Sequence, residues 1–596
     1  MNLIKKYKFL LVLIISIFVS QNWINLFYIS TRNPDFSKYY DYINYFMGLN
    51  VEIDYGQNSL YYLLVTSLLK NKIETITFGN LDFVISFSIQ NLNLLLFVFS
   101  LFGFYQLLKE MDFQNNTIFI SLTLFCFFPQ TLFARALMKP EILVLALFPW
   151  VIVFFERFLK NSSANELYKA IPFLVLICNS KASAAGMTII YLLFSYFEIL
   201  KKLNLKNFII IFIIFLTLFS LVQFENFKIT NNLIYERVYD EDYDYKADKS
   251  IIYKIGLDSV LKKPLWIDKT EIDNYNKNAQ SMSNILILDT FGDYFDQFFG
   301  MDFFKASRKS LFVSGDVEKI NPNRQIGYNG PLSGYLVDQL EYVRKNLAVL
   351  LSLVFFSCMI YFGIKNNNNK KFIYFPLISG AIIMYFNAIG FPRNNFDPYK
   401  GDTFKAFYLF FLLSISFLYL SSHFFKKITK FKILLGALFV LSIFFIGGHP
   451  KENNQQISEG LIVRNEFSIF CEVNNVLFFN NKILDSVHTS GNISNIKSDC
   501  KSMSESKKRF EKSFLKIDIQ DQYYSKCLEE GKINISYSNY QECRMFTINE
   551  IRKQSERSVP LYPYLSIILF IVCVSVVIRN TLFYNKDKLT SFKSTT

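Results

Sequence analysis

Long apolar runs separated by short basic stretches are the feature that most limits the fold of this chain. A helix needs roughly 18 or more apolar residues to cross the ~30 Å hydrocarbon layer of a membrane. The stretch 168–199 is too long for one such span and contains the polar sequence NSKAS at 179–183, so we expect two short helices joined by a turn there. Together with ten single runs this predicts about twelve transmembrane helices, the ten being 7–29, 83–108, 117–134, 141–158, 207–226, 346–364, 372–391, 404–424, 432–448 and 561–579.

The composition excludes a soluble globular protein. Hydrophobic residues make up 52% of the chain, and only 19% of residues are charged, against about 25% in soluble domains. The net charge is +14, but the basic residues flank the apolar runs instead of forming one patch. We therefore expect membrane lipids as surroundings and no nucleic acid as partner.

The distribution of Lys and Arg predicts the orientation of the spans. Cytoplasmic loops carry an excess of basic residues, and with the N-terminus inside, every inner connection is basic. Both termini are then cytoplasmic, and three long segments lie outside, at 30–82, 227–345 and 449–560. The predicted domains are a transmembrane module at 1–448, an extracytoplasmic domain at 449–560, and the last helix with a cytoplasmic tail at 561–596.

The cysteines fit this orientation. An even set in a polar outer segment is typical of disulfides in an oxidising compartment, so we expect two disulfides with three possible connectivities, or else four free thiols, among Cys471, Cys500, Cys527 and Cys543. The other four cysteines are expected inside spans as small apolar residues, namely Cys126, Cys178, Cys358 and Cys573.

Motifs of soluble enzymes are missing from the sequence. There is no Walker loop, no GxGxxG after a strand, no HExxH and no GxSxG. The three histidines are scattered, and the acidic run Asp240, Asp242, Asp244 lacks the glycine and the closing glutamate of a calcium loop. We expect no metal site and no cofactor, with a divalent cation left open.

Basic residues at the outer rims are the first candidates for a binding site. They oppose the preference for basic residues inside, and a phosphate or pyrophosphate at headgroup depth would be their natural partner. The alternatives are snorkelling or pairing with local acids such as Glu141, Asp397 and Asp402. The predicted phosphate-binding residues are Arg135, Lys139, Lys181, Arg393 and Lys405.

The first outer segment supplies a candidate acid. The sequence NPDFSKYYDYINYFMG follows the first span directly and places Asp35 near the membrane surface, with Tyr39 one helical turn later and Asp41 nearly two turns later. Asp35 could equally cap a helix that begins near Phe36. Farther along, DYGQNSLYYLLVTSLLK predicts an amphipathic helix at the interface.

The order of these motifs resembles the polyprenyl-phosphate-sugar-dependent glycosyltransferases of the GT-C fold, which include lipid A aminoarabinose transferases and protein mannosyltransferases. The resemblance covers the span layout to about residue 425. It is carried by Pro34 to Gly48, by GQNSLYYLL from Gly56, by ALMKPEILVLALFPW at 136–150 and by GDTFKAFYLFF at 401–411. Ser59 replaces a usual proline, and Phe36 stands where many members have a second acid.

The resemblance implies a function and roles for individual residues. It implies an inverting transfer of a sugar from a polyprenyl-phosphate donor to an extracytoplasmic glycan, lipid or protein, in the inner (plasma) membrane of a bacterium. Asp35 takes the position of the catalytic acid, with Asp41 or Glu141 as a second acid. The supporting residues would be Tyr39, Asp402 and Tyr408.

Other classes of membrane protein remain open at this point. An O-antigen polymerase or ligase also acts on polyprenyl-linked glycans, but is usually organised around basic outer loops. A polysaccharide exporter or flippase would be expected to have short outer loops and a polar central cavity. An assembly protein would use its outer domains to bind a partner.

Overall fold

The structure is a computed structural model that describes most of the predicted helical part of the chain. The described residues are 2–27, 42–43, 45–46, 59–69, 81–230, 286, 290–291, 334–365, 369–390, 406–447, 470–473, 476–479, 482–486 and 562–593. The fold and the site are described for these residues.

The described chain is mainly α-helical. In the first half the helices are α1 (Asn2–Phe27), α2 (Ser59–Leu69), α3 (Leu81–Glu110), α4 (Asn115–Cys126), α5 (Pro129–Ala136), α6 (Glu141–Asn161), α7 (Ala164–Ser180), α8 (Ala182–Tyr196), α9 (Glu198–Lys202) and α10 (Leu205–Thr230). In the second half they are α11 (Gly334–Lys365), α12 (Lys370–Ile373), α13 (Phe375–Gly390), a 3-10 helix (Ala406–Leu409), α14 (Phe410–Phe424), α15 (Lys430–Gly447) and α16 (Tyr562–Lys593).

Within the described part of the chain, six helices are long and apolar enough to cross a membrane. They are Tyr7–Asn25, Phe87–Glu110, Glu141–Asn161, Leu205–Phe224, Asn346–Lys365 and Phe407–Phe424. The bent pair α4 and α5 would make a seventh, and four shorter apolar helices lie at Leu60–Leu69, Ala182–Tyr196, Phe375–Met384 and Tyr564–Asn580. The chain is therefore a multi-pass α-helical membrane protein by its helices, whereas the number of twelve spans stays a prediction.

Helix α6 lies at the centre of the described bundle. Nearly all its residues from Glu141 to Phe158 are buried, and it packs mainly on α3 and α7. The contact with α3 is close at Gly103, where a Cβ atom would lie 2.8 Å from Cγ of Pro149. A glycine at this position lets the two helices approach each other.

The outer helices present apolar side chains to the surroundings. On α10 the exposed fraction is 51% for Phe212 and 56% for Ile213, and on α11 it is 58% for Ile360. Apolar surface of this extent is unfavourable in water but is expected against lipid chains. The exposure pattern therefore agrees with the membrane assignment.

Two breaks in the helices can be compared with the sequence prediction. The expected turn within 168–199 is confirmed, because α7 ends at Ser180, α8 begins at Ala182, and Lys181 between them is extended. The run 117–134, predicted as one span, consists of two helices bent by 60°, which is the geometry of a broken span or of a re-entrant loop. Pro129 at the start of α5 explains this break, because a proline suits the first turn of a helix and disfavours helical backbone at the preceding residue.

A small antiparallel sheet lies within the predicted outer segment 449–560. Its strands β1 (Phe470–Val473), β2 (Val476–Phe479) and β3 (Lys482–Ser486) pair in chain order. Phe470 is opposite Phe479, and Val476 is opposite Ser486. Cys471 lies in β1, while the other three cysteines of this segment fall outside the described residues, as does the disulfide prediction.

Candidate functional site

Four of the predicted site residues come together where two breaks in the helices meet the 3-10 helix. Lys139 and Glu141 lie at the α5–α6 link and Lys181 at the α7–α8 break, whereas Tyr408 lies in the 3-10 helix. Lys181 Nζ is 2.7 Å from Glu141 Oε1 and 3.8 Å from the centre of the Tyr408 ring. Lys139 Nζ lies 5.8 Å from the same ring centre. We refer to these residues as the lysine–glutamate cluster.

The cluster is buried and carries an excess of positive charge. The side-chain exposure is 3% for Glu141 and 18% for Lys181, and Lys139 is fully buried. Two lysines stand against one glutamate, so the formal charge is +1 if all three are ionised. Glu141 Oε2 is buried without a hydrogen-bond partner among the described residues. Buried polar atoms are normally hydrogen-bonded, so this oxygen can accept a further hydrogen bond.

Asn93 of α3 holds the α5–α6 link in place. Its Nδ2 donates to the backbone carbonyl oxygens of Arg135 at 3.0 Å and of Leu137 at 2.8 Å. Its Oδ1 accepts a hydrogen bond of 2.9 Å from the hydroxyl of Tyr61 on α2. Because the link is not helical, its carbonyl groups need such partners inside an apolar core.

Tyr61 connects this support to the charged residues. Burial raises the pKa of its hydroxyl well above the ordinary value for tyrosine. The hydrogen bonds with Asn93 and with the backbone of Lys139 lower this pKa by less, and the nearby Glu141 carboxylate raises it slightly further. The hydroxyl therefore stays protonated at neutral pH and remains a donor to Asn93. Neither Tyr61 nor Asn93 was predicted as a site residue. The available sequence signal was the pair Gln90 and Asn93, two amides one helical turn apart inside an apolar run.

Arg135 has internal partners. The sequence predicts a rim position for it, whereas the structure places it in the last turn of α5, fully buried. Its guanidinium donates to the carbonyl oxygen of Cys126 at 2.7 Å, to Ser20 Oγ at 2.9 Å and to the carbonyl oxygen of Thr131 at 3.3 Å, and it stacks on Phe97 with its carbon 4.4 Å from the ring centre. These contacts tie the bend between α4 and α5 to α1, which supports a structural role.

The remaining predicted residues fall outside the described part of the chain. Lys405 directly precedes the 3-10 helix that carries Tyr408, and its phosphate-binding role stays a prediction. The same holds for the proposed acids and their neighbours in the first outer segment. The residues concerned are Asp35, Tyr39, Asp41, Arg393, Asp402 and Lys405.

A second buried ionic group lies at the opposite end of α6. Glu156 Oε1 is 2.6 Å from Lys371 Nζ and accepts a hydrogen bond of 2.7 Å from the hydroxyl of Tyr196. These contacts join α6, α8 and α12. Because each charge has its partner, we interpret this group as structural.

Comparison with known proteins gives no relative for this chain. No protein-family model, no curated protein and no solved structure matches it. The helices and their exposure define the class as a multi-pass α-helical membrane protein, with a buried lysine–glutamate cluster where two helix breaks meet the 3-10 helix.

Proposed function

We propose that this protein is a membrane glycosyltransferase that moves a sugar from a polyprenyl-phosphate donor to an extracytoplasmic glycan, lipid or protein. The proposal includes the GT-C fold with twelve spans, both termini in the cytoplasm and a location in the inner membrane of a bacterium. The single observation that carries it is the cluster of Lys139, Lys181, Glu141 and Tyr408. Lysines that are distant in the chain converge there, as a site for a lipid-linked anion would require.

The reaction needs few catalytic groups. A sugar on a polyprenyl phosphate already carries a good leaving group, so the enzyme must remove a proton from the acceptor hydroxyl and stabilise the departing phosphate. Lysines inside a water-poor bundle suit the second task because electrostatic interactions are stronger there. Such a donor also makes a nucleotide site unnecessary, and the sequence has no motif for one.

The proposed roles follow from this chemistry. Lys139 and Lys181 hold the donor phosphate, with Lys405 and Arg393 approaching from the segment before the 3-10 helix. Asp35 is the general base that activates the acceptor. Supporting or alternative roles belong to Asp41, Glu141, Tyr39, Asp402 and Tyr408.

The phosphate role is tested by a transfer assay with a matched control. The purified protein in liposomes receives a labelled polyprenyl-phosphate sugar and an envelope extract as the source of acceptor. Lys181→Met should lower transfer by about 10-fold to 150-fold, the loss of one charge-assisted hydrogen bond of about 1.5–3 kcal/mol. Lys169→Met removes a lysine from the other end of α7, where it pairs with Glu166 at 2.5 Å, and should leave transfer close to wild type. Equal effects of the two substitutions would contradict the phosphate role.

The same assay tests the general base. Asp35→Asn is nearly isosteric and should lower transfer by about 100-fold to 10,000-fold, whereas Asp41→Asn should have a smaller effect. If Asp35→Asn retained transfer and Asp41→Asn or Glu141→Gln lost it, the base would be that other residue. Translocation of the labelled lipid without sugar transfer would favour a flippase.

A further inference from the structure

Glu141 forms an ion pair with Lys181, one of the two lysines that we assign to the donor phosphate. The ammonium group of Lys181 is held by Glu141 Oε1 at 2.7 Å and is covered by the ring of Tyr408 at 3.8 Å. An anion that binds Lys181 directly must therefore displace the carboxylate. Lys181 therefore has an anionic partner before the donor binds, and the Glu141 carboxylate competes with the donor phosphate for it.

Displacement would leave Glu141 in an unfavourable state. Its side chain is 3% exposed, and Oε2 already lacks a hydrogen-bond partner among the described residues. If Lys181 bound a phosphate instead, Oε1 of Glu141 would lose its lysine partner, and Oε2 has no hydrogen-bond partner among the described residues to compensate. The bound phosphate would also place a second negative charge near the carboxylate. Burial and a neighbouring like charge both favour the neutral form of a carboxyl group.

Two other titratable groups act on Glu141 besides Lys181. The titratable groups that face Glu141 from the neighbouring described elements are Lys139 of the α5–α6 link, Lys181 of the α7–α8 break and Tyr61 of α2. Lys139 approaches the same Tyr408 ring as Lys181, so an anion between the two lysines would draw on both. The buried hydroxyl of Tyr61 is neutral and bonded to Asn93.

We propose that an anionic phosphate ligand breaks the Glu141–Lys181 pair on binding, and that Glu141 then takes up one proton, so that ligand binding and proton uptake are coupled. This inference rests on the proposed function, because it concerns the same site and the same donor class. Lys181 exchanges one anionic partner for another, and the proton comes from solvent. The O–H bond that forms on Glu141 replaces the bond that holds the proton in hydronium or in the buffer acid, and no other covalent bond changes.

The coupling has a definite sign. If the complex holds one more proton than the free protein, affinity rises as pH falls, by at most about tenfold per pH unit. Glu141→Gln removes both the competing charge and the proton-accepting group. This variant should bind the ligand more tightly than wild type, most clearly at high pH, and its affinity should not depend on pH.

A calorimetric titration with an isoprenyl phosphodiester tests the proposal. This probe keeps one negative charge because it has no second ionisable proton. Titrations in two buffers with different ionisation enthalpies, between about pH 6 and 8, give the number of protons taken up per ligand. We expect nearly one proton for wild type and none for Glu141→Gln. The affinity of wild type should then fall by about 100-fold from about pH 6 to pH 8, while that of the variant stays constant and exceeds it most at pH 8.

The control variant is Glu166→Gln. Glu166 also pairs with a lysine through Oε1, and its Oε2 is also buried without a partner among the described residues. It therefore repeats the chemical change away from the cluster, and its proton count and affinity should match those of wild type. Lys181→Met should bind weakly and take up no proton.

Several results would overturn the inference. These are no saturable binding by wild type, no proton uptake, or binding by a folded Glu141→Gln that is no tighter than wild type. The wild-type proton count needs no variant, so a misfolded substitution does not remove the test. Proton-coupled binding without sugar transfer would contradict the proposed function alone, whereas sugar transfer with proton-independent binding would contradict this inference alone.

Discussion

Replacing Arg135 by methionine should destabilise the bundle without removing a ligand contact. The side chain is fully buried, and its guanidinium donates to two carbonyl oxygens and to Ser20 Oγ at distances from 2.7 to 3.3 Å. Methionine keeps much of the volume but donates no hydrogen bond. The bend between α4 and α5 would then lose its attachment to α1.

The expected cost follows from these contacts. Each hydrogen bond of a charged group contributes about 1.5–3 kcal/mol, and the stacking on Phe97 adds about 1 kcal/mol. Removing a buried charge recovers several kcal/mol of desolvation cost. We expect a net loss of about 2–4 kcal/mol in the free energy of unfolding. Because the entropy of unfolding grows with chain length, the melting temperature of a chain of 596 residues should fall by only about 2–3 °C.

Thermal unfolding with a thiol-reactive dye measures this loss. The thiols of Cys126 and Cys573 are free and buried and react when the bundle opens. Arg135→Lys keeps the charge but lacks the planar fork, so it should lie between wild type and Arg135→Met. Ser20→Ala removes one acceptor and should cost only about 1 kcal/mol. If Arg135→Met melted like wild type but no longer bound the phosphodiester, the structural role would be wrong and the predicted phosphate-binding role would stand.

Three further substitutions test the fold and the support of the site. Asn93→Leu removes the amide that donates to the carbonyl oxygens of Arg135 and Leu137. It should lower the free energy of unfolding by about 2–3 kcal/mol and weaken phosphodiester binding in a titration. Unchanged binding would contradict the support role of Asn93. Gly103→Ala brings a Cβ atom 2.8 Å from Pro149 Cγ and should lower the melting temperature through overpacking of about 1–3 kcal/mol; an unchanged melting temperature would argue against close contact of α3 and α6. Glu156→Gln removes the charge that pairs with Lys371, so it should lower the melting temperature but leave the affinity for the phosphodiester unchanged. A changed affinity would mean that this ion pair influences the lysine–glutamate cluster at the other end of α6.

The sequence predicts helix breaks where polarity marks them. The turn at Lys181 was predictable because a polar stretch interrupts a run that is too long for one span, and the structure confirms it. The break after Cys126 was not predicted, because hydropathy stays high across 117–134. The local signal there was Pro129, and a single proline is lost when hydropathy is averaged over the length of a span.

The contacts of the site residues were less predictable. Pairing of a rim cation with Glu141 was one of the alternatives that the sequence left open, and the structure shows it for Lys181. Which lysine pairs with Glu141 could not be read from the sequence, because the pair joins residues 40 apart in the chain and depends on how α6 packs on α7. Asn93 was hidden by its apolar neighbours. Arg135 was predicted as a phosphate-binding cation at the outer rim, but in the structure the bend in the chain turns its guanidinium back to the carbonyl oxygen of Cys126. These contacts arise from tertiary packing, which a single sequence does not specify locally.

The most direct test of the central claim is an experimental structure of the protein in a lipid nanodisc with the isoprenyl phosphodiester bound. We predict that the phosphate lies between Lys139 and Lys181, with its oxygens about 2.7–2.9 Å from their Nζ atoms, and that Glu141 has left Lys181. A phosphate bound elsewhere, with the Glu141–Lys181 pair intact at 2.7 Å, would contradict the account.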